Sequence, residues 1–203
     1  MAKFSGAQDP ASTVSRHTLG QEVREWLIAL ALALLAVVLV RAFLFTLIRV
    51  DGHSMDPTLA DGERLFVTVA DVKLSGANRG DVVICRYPNR GQTHFVKRVV
   101  AVPGDTVYRE NGVTHVVYSV PREDGLEIVD EPLDPKRGLS ILTAANDVEP
   151  YLLGEGEYFV AGDNRYSSHD SRDWDNVGPI SRDMLVGRVR QVIWPLDHFR
   201  TVE

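Results

Sequence analysis

Residues 26–40 read WLIALALALLAVVLV, fifteen positions without a charge. Arg41 interrupts the run, and AFLFTLI (42–48) continues it as far as Arg49. Drawn as one helix, residues 26–48 reach about 34 Å, enough for the hydrocarbon core of a bilayer. Arg41 lies near the far end, where its long stem lets the guanidinium reach the headgroups. The run has no polar face, which a buried core helix of a small domain would show. A cleaved leader would have a shorter apolar region followed by an Ala-x-Ala-like site, and FTLIRVDG (45–52) has none. The expectation is one membrane anchor over residues 25–48, preceded by a short, disordered tail over 1–24 rich in Ser, Ala and Gly.

Charge separates the rest of the chain from this segment. The net charge is −6. Residues 1–50 hold five Lys/Arg against three acids, and the remainder holds 17 basic against 25 acidic residues. A body this acidic excludes nucleic acid as the main partner, since phosphate binding needs a basic footprint. Orientation does not follow from charge. Lys3, Arg16 and Arg24 precede the apolar run, while Arg49, Arg64 and Lys73 follow it, a near tie. The lone Cys85 has no intrachain partner for a disulfide.

After residue 50 the pattern becomes one of short strands, a mostly β catalytic domain over 49–203. ERLFVTVADV (63–72), GDVVICRYP (80–88) and THFVKRVVAV (93–102) are rich in β-branched residues and bounded by Gly, Asp or Pro. Asn111-Gly112 between two apolar stretches predicts a hairpin. GEYFVAGDN (156–164) and LVGRVRQVIWPL (185–196) supply further strands. Residues 121–150 are acidic, proline-rich and weakly patterned, and 106–157 reads as a less regular inserted region.

The chemistry centres on VDGHSMDPTL (50–59). A serine hydroxyl is a weak nucleophile until a neighbouring base takes its proton. His53, His94 and His169, the last followed by Asp170, could supply a histidine-based triad for Ser54. No Gly-x-Ser-x-Gly elbow accompanies them, and His53 adjoins Ser54, so in an extended segment the two side chains point to opposite faces. The other base is Lys97. A strand's period of two places Phe95, Lys97 and Val99 on one face, so the amine has apolar neighbours. An ordinary lysine is neutral in only about one part in a thousand near pH 7.5, and a base needs a depression of about 2–3 units, or about 3–4 kcal/mol, which burial can supply. The same pattern also fits an edge-strand lysine guarding against aggregation. Asp51, His53, Asp56 and His94 could be drawn together around a metal, although no H-E-x-x-H or C-x-x-C spacing supports that. The residues alone leave these readings open.

GHSMDPTL (52–59), FVKRVVAVPGDTV (95–107) and GDNRYSSHDSRDWDNVGPI (162–180), in this order behind an apolar segment, resemble the bacterial type I signal peptidases. The resemblance implies a signal-peptidase-type β body, shared with the autocleaving-repressor peptidases, on a single N-terminal transmembrane helix. It implies Ser54 as nucleophile, Lys97 as general base and an acyl-enzyme. Met55 would line the substrate site, and Ser168 would orient the Lys97 amine. Asp170 and Arg172 would brace the loop that Asp163, Asn164 and Arg165 shape. One branch of the family carries a serine two residues before the nucleophile that helps bind the oxyanion; Gly52 stands there, so the second oxyanion donor would be a backbone group or a water. The implied substrates are signal peptides of secreted preproteins, cut after a small residue at the bacterial cell membrane. The body would lie on the outer face and the N-terminus in the cytoplasm, with the lipid bilayer and the export channel as further partners. No cofactor and no metal is implied. Two other classes compete: a Ser-Lys autocleaving repressor, which would carry a DNA-binding domain in place of the apolar run, and a catalytically dead membrane-anchored binding protein, which would not need both Ser54 and Lys97.

Overall fold

The computed structural model describes residues 19–123, 125–133 and 146–202. The chain divides between Leu39 and Val40 into two compact units. Helix α1 runs from Leu19 to Phe43. Its side chains from Trp26 through Leu27, Ile28, Leu30, Leu32, Leu34 and Leu35 to Val38 are each more than half exposed, so no side of it is sheltered. Its described side chains run unbroken only over 22–38, and among the described residues no helix is long and apolar enough to cross a membrane. Of the tail expected over 1–24, residues 1–18 lie outside the described residues, and from Leu19 the chain is helical.

The expected anchor boundary at residue 48 is corrected. The helix ends at Phe43, and Phe45–Arg49 is strand β1. An apolar run looks alike as helix or strand, and here partners decide. β1 lies antiparallel to β2 (Arg64–Thr68), Phe45 opposite Thr68 and Arg49 opposite Arg64, with the Phe45 and Phe66 rings 5.4 Å apart.

A short helix α2 (Ala70–Ser75) follows β2. The main sheet then takes β3 (Val82–Cys85), β4 (Phe95–Ala101), β9 (Glu157–Ala161), β10 (Ile180–Ser181) and β11 (Leu185–Trp194), in the spatial order β1-β2-β11-β3-β4-β9-β10. β12 (Arg200–Thr201) adds to β11. β3 is buried at every position, one face in a cluster with Val99, Tyr158, Val160 and Leu185, the other with Met55, Leu59, Leu65 and Val67. An interior strand covered on both sides explains why VVIC reads as a continuous apolar run.

A second sheet, β7-β6-β5-β8, comprises β5 (Thr106–Glu110), β6 (Val113–Arg122), β7 (Gly125–Pro132) and β8 (Val148–Leu152). Asn111 and Gly112 have φ of 53° and 76°, the left-handed pair that a tight hairpin turn requires. Of the less regular region expected over 106–157, residues 124 and 134–145 lie outside the described residues, and the described part is corrected: β6 and β7 pair from His115↔Pro132 to Arg122↔Gly125. β7 is exposed at nearly every position, so selection for burial leaves no alternating pattern to read. Val100, Ala101, Phe159 and Ala161 of the main sheet pack with Val107 and Val116 of the second, joining the two.

Candidate functional site

Ser54 sits on the turn between β1 and β2. Backbone bonds close the turn at its base, from Val50 N–H to the Glu63 carbonyl (2.8 Å) and from Gly62 N–H to the Val50 carbonyl (3.0 Å). Met55 and Leu59 are 1% and 0% exposed and anchor the turn in the core, so Ser54 is held by its neighbours' burial. Gly52 has a φ of 100°, a conformation that disfavours any side chain, and its N–H is bound to Asp61 Oδ1 at 2.9 Å. That N–H is therefore occupied. The Ser54 N–H forms no hydrogen bond among the described residues.

Lys97 comes from β4, which lies between β3 and β9 with Val83 directly opposite. It is not an edge lysine. Its side chain is 3% exposed, and Nζ lies 2.6 Å from Ser54 Oγ. Burial pushes the Lys97 pKa below its ordinary value; Asp170 and Cys85 oppose the shift, Arg172 adds to it and Asp163 opposes it. Desolvation outweighs the nearby carboxylates because both are already bound to arginines. Burial also pushes the neighbouring Cys85 thiol up to about 12, which keeps it protonated and unreactive.

The loop 162–172 holds the nucleophile from the other side. Asn164 N–H donates to the Ser54 carbonyl (3.1 Å), and Asn164 Nδ2 donates to the His53 carbonyl (3.0 Å). Asp163 accepts Thr58 Oγ1 at 2.6 Å and both ends of the Arg98 guanidinium at 2.9 and 2.8 Å. Asp170 and Arg172 are fully buried and paired twofold, at 2.8 and 2.9 Å. Arg172 also donates to the carbonyl of Arg165 (2.9 Å), and Arg109 of β5 donates to the carbonyl of Arg172. Ser168 donates to Asp170 Oδ2 at 2.6 Å, leaving its lone pairs as acceptors. Among the described residues Ser54 is the side chain bonded to the Lys97 amine, and the orienting role expected of Ser168 has no hydrogen bond to represent it.

The histidines fall elsewhere. His53 is exposed and pairs with Asp56 at 3.1 Å, and His169 Nε2 lies 2.6 Å from Asp173. His94 lines a cleft of ≈ 80 Å³ with Ile48, Val50, Gly52, Ser54, Phe95 and Lys97. Two segments, 48–52 and 94–97, form the walls of this cleft. Among the described residues no three His, Cys, Asp or Glu side chains converge as a metal cage would require. A larger open depression of ≈ 710 Å³ beside Arg122–Glu127 carries none of these reactive groups.

Two contributors were not singled out in the sequence. Arg98 follows Lys97 on the opposite strand face and fixes Asp163; its position beside the base was the available signal. Gly162 is the other. A Cβ there would lie 2.6 Å from Ser168 Cβ and closer still to Ser168 Oγ and the Ser54 carbonyl oxygen, so only glycine leaves room for the Ser168 side chain and the Ser54 backbone together.

Comparison with known proteins agrees in kind. The family pattern "Signal peptidase, peptidase S26" matches residues 23–194. The chain is 35% identical over 182 residues to a signal peptidase I of Bacillus licheniformis, covering 88% of this chain and 92% of that one. It is 36% identical over 176 residues to signal peptidase I T of Bacillus subtilis, covering 87% and 88%. Signal peptidase IB of Staphylococcus aureus is 35% identical over 188 residues, covering 89% and 94%. A crystal structure of a signal peptidase I from Enterococcus faecalis is 27% identical, with a TM-score of 0.36 over 55% of this chain and 95% of its own.

Proposed function

Because the chain belongs to the signal peptidase family, peptidase S26, as a type I signal peptidase, we propose that it cleaves through a Ser54–Lys97 dyad. The observation that carries this is the 2.6 Å separation of Lys97 Nζ and Ser54 Oγ, with the amine buried. Neutral Lys97 takes the Ser54 proton as Oγ attacks the carbonyl of the residue before the cut. The proton passes to the leaving amine, and the signal peptide stays esterified to Ser54. Lys97 then takes a proton from water, which attacks the ester and releases the signal peptide. Oxyanion stabilisation falls to the Ser54 N–H, because the Gly52 N–H is bound to Asp61. The second donor is a water or a group the substrate brings.

The cleft supports an extended substrate. Segments 48–52 and 94–97 offer main-chain groups to a strand laid between them, and Ile48, Val50, Met55, Phe95 and Val96 leave room only for small side chains. This fits signal peptides of secreted preproteins.

The same reading gives the apolar segment a purpose. Trp26–Val40 is an uncharged stretch of helix whose described side chains from Trp26 to Val38 are exposed on every side, suited to a bilayer rather than to water. Only thirteen residues separate Val40 from Ser54, so an anchor there delivers the nucleophile to the bacterial membrane surface where preproteins leave the export channel. The tail is then cytoplasmic and the β body external.

Cleavage of a preprotein by the wild type, Ser54→Ala, Lys97→Ala and His169→Ala tests the dyad. The first two substitutions abolish cleavage and His169→Ala leaves it. Near-full activity in Lys97→Ala, or loss confined to His169→Ala, overturns the proposal.

A further inference from the structure

Behind the turn that carries Ser54 lies a buried carboxylate that the chemistry above does not use. Glu63 is 2% exposed. Its Oε1 and Oε2 accept the two ends of the Arg200 guanidinium at 2.7 and 2.8 Å, Oε1 lies 2.9 Å from His198 Nδ1, and Oε2 accepts the Ala60 N–H at 3.1 Å. Burial works against the charge, but the bonds from Arg200, Ala60 and His198 outweigh it and hold Glu63 below the usual carboxylate range. Arg200 Nη2 also donates to the main-chain carbonyl of Thr58 at 2.7 Å. Thr58 is thus gripped twice, since its hydroxyl donates to Asp163, whose neighbour Asn164 holds the Ser54 carbonyl.

We propose that the segment 195–202 is a clamp on the nucleophile turn, with Arg200 and Glu63 as positioning residues that set where Ser54 Oγ stands against Lys97; this rests on Ser54 being the nucleophile. The clamp has a rigid root. β12 pairs with β11, Val192 opposite Arg200 and Gln191 opposite Thr201, and Val202 N–H donates to the Arg190 carbonyl at 2.9 Å. β11 in turn pairs with both β2 and β3. The turn is therefore held between loop 162–172 on one side and a strand of the main sheet on the other. Arg200 reaches two points with one planar group, Glu63 at the base of the turn and Thr58 four residues past Ser54. A lysine ammonium, a point donor, cannot bridge both in this geometry.

The test compares the full chain in detergent as wild type, Arg200→Ala, Arg200→Lys, Glu63→Gln and Ser54→Ala, at a temperature where circular dichroism shows the variants folded. Arg200→Ala is expected to lower kcat about 10–100-fold with KM within about twofold, the signature of a misplaced reacting atom. Guanidinium ion at tens of millimolar restores kcat about fivefold in Arg200→Ala, while sodium or ammonium at equal concentration does not. Arg200→Lys and Glu63→Gln each lose about 3–10-fold and gain nothing from guanidinium. Wild-type kcat in folded Arg200→Ala, or a loss that guanidinium leaves untouched, overturns the clamp. Should Arg200→Ala fail to fold, wild-type kcat in Arg200→Lys and Glu63→Gln overturns it equally. Activity remaining in Ser54→Ala would be a failure of the nucleophile assignment instead, which separates the two claims.

Discussion

Gly162→Ala tests the packing around the dyad with a single methyl group. The φ of Gly162 lies outside the left-handed region, so alanine adopts the backbone without strain and the effect is purely steric. The new Cβ would stand 2.6 Å from Ser168 Cβ, and nearer to Ser168 Oγ and to the Ser54 carbonyl oxygen. Ordinary contact begins at 3.4 Å, so Ser168 Cβ must retreat by about 0.8 Å, and Ser168 Oγ and the Ser54 carbonyl oxygen by more. Overpacking of this kind destabilises by about 1–3 kcal/mol. The catalytic loss is expected to be larger than that suggests. The carbonyl that moves belongs to the nucleophile, and a displacement near 1 Å lowers kcat about 100-fold, or about 2.7 kcal/mol in the barrier. The assay is kcat on a preprotein together with the urea midpoint. Gly154→Ala is the control, because its Cβ would meet only the end of the Glu157 side chain at 3.3 Å, which can swing away. The control should stay within about twofold in kcat and about 0.5 kcal/mol in stability. If Gly162→Ala keeps kcat within about threefold of wild type, the close approach of 162, 168 and 54 does not govern the geometry of attack.

Two further outcomes follow from the charges. Lys97 has a folded pKa below its unfolded value, so the unfolded chain binds more protons between the two, and stability rises with pH across that window. Lys97→Met removes this dependence, and urea titrations should show it more stable than wild type at neutral pH and level with it well above pH 10.5; a destabilised Lys97→Met would contradict the burial argument. Asp170→Asn leaves Arg172 buried without its countercharge, a loss of about 3–5 kcal/mol by urea unfolding. Asp170 also raises the Lys97 pKa, so the activity titration of whatever folds should move to lower pH, and a move upward would refute the electrostatic account.

How far the sequence foretold this arrangement depended on the range of the contacts. Asn111-Gly112 was readable because a tight turn needs left-handed backbone at adjacent positions, and β3 and β4 because β-branched runs ended in Gly, Asp and Pro. β7 was not readable. It is an exposed strand containing Pro132, and its pairing with β6 supplies the order that burial does not. The apolar run 42–48 was ambiguous between helix and strand until β2 lay beside it. At the site, Lys97 was one of two kinds of base that local pattern allowed for Ser54. Edge and interior strands look alike in HFVKRVV, and only the flanking β3 and β9 make β4 an interior strand. Glu63 and Arg200, 137 residues apart, left no local trace.

The central claim is that Lys97 is the base, and its titration can be followed directly. With 13C-labelled lysine, the Lys97 Cε–Hε signal, assigned by its loss in Lys97→Met, reports protonation of Nζ in the folded enzyme while kcat/KM is measured over the same pH range. The account predicts a Lys97 midpoint below 10.5 that coincides with the rise in activity. A Lys97 that titrates at its ordinary value, with activity rising instead near 6.5 as a histidine loses its proton, would contradict it.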